Sequence, residues 1–147
     1  MGVFDNLLMQ PISKVVKSFL DSQDIKASYV KGEHAGRFEF LCQVKNCSIN
    51  VQIDVEEQQE FFVVKGVPDF VVPQEKIMQV LPVLNQCNRK NMFVKTQVDS
   101  QTGYLTFSMP CLAFEGSIKE KMVASAVITV ANTIDSCINE IKQEVNN

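Results

Sequence analysis

The chain contains no tryptophan and a single histidine, His34, among 147 residues. That scarcity matters, because histidine is the most frequent general base and a common metal ligand. None of the five cysteines (Cys42, Cys47, Cys87, Cys111 and Cys137) forms a C-x-x-C pair, and a metal site at Cys42 and Cys47 would need further soft ligands. Six glycines and five prolines are too few and too scattered to mark a linker or a low-complexity tract. Basic residues are outnumbered, 14 against 17, for a net charge of −3, and no dense Lys/Arg run occurs. A nucleic-acid partner is therefore not expected, since phosphate neutralisation calls for a basic surface. No aromatic–basic interleaving suited to base stacking is present either. Apolar runs fall short of the roughly 18 residues a membrane span needs; the best candidate, Met122 to Ala131, is interrupted by Ser125 and Thr129. Met1 to Asp5 shows no basic start leading into an apolar stretch, so no signal peptide is visible and a cytoplasmic location is the expectation.

What is present reads as an ordinary globular chain, 46% hydrophobic and 21% charged. Its length suits a single domain over residues 1–147, large enough to fold around a core without disulfides or metal. An odd number of widely spread cysteines, mostly within apolar patterns, indicates free thiols acting as small hydrophobes in a reducing compartment.

Periodicity changes along the chain. Val15, Val16, Phe19 and Leu20 form an apolar stripe at helical spacing, which predicts a helix over Leu7 to Ser22 with Pro11 at the start of its regular part. A short, weak strand is read at Tyr29 to Lys31. Arg37 to Lys45 alternates cleanly, with Phe38, Phe40, Cys42 and Val44 on one side. Ser48 to Val55 repeats the pattern through Ile49, Val51, Ile53 and Val55. Glu60 to Lys65 predicts a further strand, broken by Gly66 and Pro68. A second helix, over Pro73 to Asn91, buries Ile77, Val80, Leu81, Leu84 and Cys87 and carries a bend at Pro82. The segments Phe93 to Asp99 and Tyr104 to Met109 make a hairpin around Gly103. The last helix runs from Ser117 to Val145, with Ser117 and Glu120 as a capping box. The expected fold is α+β: an antiparallel sheet of about five strands with three helices, in the order α-β-β-β-α-β-β-α.

No catalytic constellation emerges. His34 sits in the turn-like Lys31 to Gly36, and Glu56, Glu57 and Glu60 read as a solvated strand connection. Gly32 and Gly36 lack the residues of a phosphate-binding loop. No cofactor and no metal are expected. Ala124, Ile128 and Ala131 widen the apolar stripe of the last helix beyond what one sheet contact needs. The preferred reading is a helix buried between two layers; the other is a protein contact formed by Val123, Val127 and Ile128, with Phe70 and Val72 of the apolar segment Val67 to Val72, before the second helix, as a further candidate surface. The outward residues Arg37, Glu39, Gln43, Lys45, Asn50, Gln52 and Asp54 make a polar sheet face, either merely solvated or a docking platform.

The order of elements, the strand Phe61-Phe62-Val63-Val64, the loop Val71-Val72-Pro73 and the helix end Leu84-Asn85-Gln86-Cys87-Asn88-Arg89 resemble the YbjN-type bacterial family, with Leu84-Asn85-x-x-Asn88 as the sharpest motif. The resemblance implies a sandwich similar to type III secretion chaperones and a loosely defined role in sensory-transduction regulation, with no catalytic residues to carry over. For Asn85 and Asn88 the expected role is local, an amide bonding backbone where helix gives way to strand. The function expected is a non-enzymatic interaction or regulatory module, chaperone-like, whose partner is a protein of unknown identity or a second copy of the chain. The alternatives are a small-molecule or lipid carrier with a pocket lined by Phe38, Phe40, Leu105 and Phe107, and a cysteine-dependent enzyme.

Overall fold

Pro11 opens the first helix, α1 (Pro11–Ser22), in the computed structural model, which describes residues 10–33, 35–114 and 117–147. Gln10 offers α1 no side-chain cap. The cap comes from 44 residues downstream instead: the carboxylate of Glu57 accepts the Ser13 N–H at 2.8 Å and the Ile12 N–H at 3.2 Å. An acidic group is well placed at the positive end of the helix dipole. The expected start at Leu7, and the turn residue His34, lie outside the described residues.

Four strands follow as a meander: β1 (Ser28–Lys31), β2 (Ala35–Gln43), β3 (Ser48–Glu56) and β4 (Phe61–Pro68). A 3-10 turn (Gln74–Lys76) leads into α2 (Ile77–Lys90), then come β5 (Lys95–Val98), β6 (Leu105–Leu112) and the long α3 (Glu120–Asn146). All strands join one antiparallel sheet in the order β1-β2-β3-β4-β6-β5. The fold is the expected α+β sandwich, with six strands rather than about five. The sixth is β1, the weak strand read at Tyr29 to Lys31 but not counted in the five-strand order; it is four residues long and mostly exposed.

Several boundaries differ from the sequence reading. β4 does not break at Gly66 but runs on to Pro68. A side chain at Gly66 would place its Cβ 2.5 Å from Ile134 Cδ1 and 3.0 Å from Val130 Cγ1. Glycine here is the point at which α3 comes down onto the sheet. The Ser117–Glu120 capping box does not form, because Ser117 Oγ donates to the Phe114 carbonyl and Glu120 accepts from Ser18 Oγ of α1. β6 continues past Met109 to Leu112, while β5 starts late, at Lys95.

One sheet face is closed by the helices. Ile49, Val51, Ile53, Val55, Phe62, Val64, Leu105 and Phe107 all lie under them, fully buried. α3 packs on β4 and β6 and also against α1 and α2. Those extra contacts bury Val123, Ala126, Val127, Val130, Ala131 and Ile134 and half-cover Ala124, while Ile128, the third residue of the widened stripe, stays exposed. By length and composition α3 could cross a membrane, yet half of its most apolar window is buried inside the molecule. In this fold it is the core helix. α2 continues through Pro82, which faces solvent, so water can serve the Met78 carbonyl that loses its donor. The turn before β6 uses Gly103 at φ +77°, where a Cβ would collide with the Val72 carbonyl at 2.0 Å.

Replacing Gly66 by alanine should destabilise the protein by about 1–3 kcal/mol through overpacking under α3. Glu57→Ala should cost about 1 kcal/mol through the lost cap. Urea unfolding monitored by circular dichroism checks both; unchanged midpoints would refute the two assignments.

Candidate interaction surface

The other sheet face is open, and its outward side chains divide into two regions. Across β2, β3 and β4 the charges serve one another. Arg37 Nε and Nη2 donate to Asp54 at 2.6 and 3.1 Å, Lys65 Nζ donates to the same carboxylate at 2.7 Å, and Asn50 Nδ2 donates to Glu39 at 2.6 Å. Burial pushes the Asp54 carboxyl up, but the hydrogen bonds and charges of Arg37 and Lys65 outweigh it and hold Asp54 below its ordinary range. Apart from Leu41, exposed on the same face, this is a self-satisfied polar surface.

Toward β6 the face becomes apolar. Phe61 pairs with Leu112 and Val63 with Pro110 across the β4–β6 ladder, all four on the outward side. Leu112 is 65% exposed. Val63 and Pro110 also line a cleft of about 580 Å3 together with Met92 and Phe93, which are 86% and 67% exposed. The apolar strip is therefore continuous from the α2–β5 connection to the end of β6, with Lys95, Gln97 and Ser108 as its polar rim.

The late start of β5 creates this arrangement. Lys95 pairs with Ser108, so the last four residues of β6 have β4 on one side and no strand on the other. The Asp99 N–H to Tyr104 carbonyl bond of 2.9 Å sets the ladder phase, which turns the backbone of Ser108, Pro110 and Leu112 toward the open side. Pro110 has no N–H to offer there, so this edge is blunted. The edge of β5 is closed differently. Thr96, whose backbone points away from β6, donates its N–H to Asn88 Oδ1 at 2.6 Å and accepts from Asn88 Nδ2 at 3.1 Å. The Asn88 amide stands where a seventh strand would lie. Of the other motif residues, Leu84 is core and Asn85 is exposed. Asn91, unmarked by sequence reasoning, caps the end of α2 by donating to the Cys87 carbonyl at 2.9 Å; an asparagine between helix and strand was the available signal.

The five residues expected to form a contact do not make one surface. Val72, Val123 and Val127 are buried, the two α3 valines because α1 and the sheet cover that part of the helix. Phe70 is half-buried beneath the Lys142 ammonium, 5.8 Å from its ring centre. Ile128 alone is exposed, beside a groove of about 410 Å3 between α1 and α3. The four residues of the carrier reading lie inside the packed core, and the clefts of about 410 and 580 Å3 are lined by other side chains. Burial pushes the thiols of Cys42, Cys111 and Cys47 up, the last to about 11, which makes them poor nucleophiles.

Asn88→Ala should destabilise the protein by about 1–3 kcal/mol, because both Thr96 backbone groups lose their partner. Hydrogen exchange should accelerate at the Thr96 amide first; unchanged exchange there would overturn the edge-capping role.

The chain matches a family described as "Putative bacterial sensory transduction regulator", the YbjN family, over residues 13–143. No curated protein matches it in sequence. Among solved structures it is similar to YbjN, a "putative transcription regulator" from E. coli, with a TM-score of 0.66 and 14% identity over 91% of this chain and 93% of that one. A protein from Methanothermobacter thermautotrophicus superposes with a TM-score of 0.64 and 14% identity, over 90% and 98% of the two chains. A chain of the HopA1–SchA chaperone–effector complex gives a TM-score of 0.55 and 13% identity, over 93% and 98%. At these identities the structures share the fold. The family match spans nearly the whole three-helix, six-strand unit, and the chain belongs to the YbjN family.

Proposed function

We propose that the protein is a non-catalytic binding module that holds an apolar segment of a protein partner against the β4–β6 end of its open sheet face. The observation that carries this reading is the continuous outward strip of Phe61, Val63, Pro110 and Leu112 with Met92 and Phe93 at its side. Exposed apolar patches with a polar rim mark contact sites. The fold shared with a chain of a chaperone–effector complex supports a protein as the partner, and regulation by such binding fits the family's description. Five free thiols suit the reducing cytoplasm as the place of work.

Leu112→Asp and Phe93→Asp should each weaken partner capture about tenfold or more, a loss of roughly 1.4 kcal/mol, without lowering the melting temperature. Quantitative mass spectrometry of proteins retained by wild-type and variant chains measures this. Equal retention by all three would overturn the reading. If light scattering finds a wild-type dimer that Leu112→Asp dissociates, the partner is a second copy of the chain.

A further inference from the structure

The helix layer has an uncovered face of its own. α3 rests on the sheet and packs against α1 and α2, yet Lys121, Ser125, Ile128 and Asn132 remain exposed and Asp135 half-exposed. These five fall within one arc of the helix, since seven residues come close to two full turns. No charged residue occurs from Met122 to Ile134. The solvent side of a helix is ordinarily charged, whereas the centre of a protein interface is depleted of charge. Polar groups here are already partnered. Thr129 Oγ1 donates to the Ser125 carbonyl at 2.7 Å and Ser136 Oγ to the Thr133 carbonyl at 2.9 Å. Both hydroxyls can leave water with their donors still satisfied.

Shape and charge on this face are both self-complementary. Ile128 protrudes, 58% exposed, beside the groove of about 410 Å3 lined by Phe19, Ile25, Ala124 and Val127. A knob and an apolar recess side by side suit a second copy turned about a two-fold axis. Lys121 and Asp135 stand seven residues to either side of Ile128, about 10 Å along the helix each way. Lys121 forms no salt bridge among the described residues. Asn46 bonds Oδ1 of the Asp135 carboxylate, at 2.9 and 3.0 Å, which leaves Oδ2 for another partner.

We infer that two copies of the chain associate through α3, packed antiparallel about a two-fold axis at Ile128. Rotation about that axis carries Lys121 of each copy to Asp135 of the other, so two opposite-charge pairs flank an uncharged centre. Asn132 then lies against Ala124 and Ser125 of the facing helix, and a polar group within an apolar seam fixes its register. A partner of one charge sign would suit one end of this face and oppose the other; a second copy suits both. The contact uses the helix layer, on the opposite side of the sheet from Leu112 and Pro110, and so stands apart from the proposed binding strip. The dimer presents two such strips on its outer sides.

Light scattering of the full-length chain at rising concentration should reach twice the 16.5 kDa chain mass. Ile128→Glu should hold the chain monomeric with the circular dichroism of the wild type, whereas Leu112→Asp should leave the dimer intact. Lys121→Glu should weaken association about tenfold by opposing Asp135. Adding Asp135→Asn should recover part of that loss, because the asparagine oxygen still accepts from Asn46. Oxidised and peptide-mapped, Ile128→Cys should link position 128 of one copy to position 128 of the other, as only a two-fold axis there allows. A wild-type monomer at every concentration, a dimer indifferent to Ile128→Glu and Lys121→Glu, or a dimer without the 128-to-128 link would each refute the proposal.

Discussion

The whole arrangement hangs on one close approach. At Gly66 the sheet has no side chain, and Ile134 and Val130 of α3 occupy the space. This lets a 27-residue helix lie low across β4 and β6, where it buries eleven side chains. Because α3 sits so deep, α1 and α2 can both reach it as well as the sheet. The helix layer closes over one sheet face and leaves the other to solvent.

Long-range polar contacts then fasten the layers, and each replaces something that local sequence does not supply. Glu57 caps a helix whose own Gln10 cannot. Asp135 accepts the Asn46 N–H at 2.9 Å and Lys142 donates to the Asn46 carbonyl at 3.0 Å, docking the β2–β3 turn onto α3. Asn88 substitutes for a missing strand at β5, and Pro110 withholds a donor where β6 becomes an edge. Sheet edges are hazards when left open. Here one end of the sheet is closed by an amide and a proline, and that same end carries the apolar strip.

Much of this was legible in the residues. Alternation in Phe38 to Val44 and Ile49 to Val55 identified which side of β2 and β3 is buried, since successive strand side chains point to opposite faces. The family could be read from Phe61 to Ile141, and Asn88 was expected to bond backbone beside the helix end. The preferred reading of the α3 stripe, a helix buried between layers, matches its burial. The exposed apolar strip was not legible. Helical spacing places Val123 and Val127 on the apolar stripe without saying what covers them; their burial depends on α1 packing there, a contact more than 100 residues apart in sequence. Leu112 and Phe93 were invisible for the converse reason: each sits in an apolar pattern, and only the short β5 exposes them.

By itself the sequence determined the element types, the buried faces and the family, because these follow from short-range periodicity and chain-local propensity. The tertiary structure alone decided that β4 and β6 are neighbours and that an apolar strip remains uncovered beside them. Those facts depend on which distant segments share a boundary. Period and composition carry no information about that, since the same apolar residue is core or surface according to what packs over it.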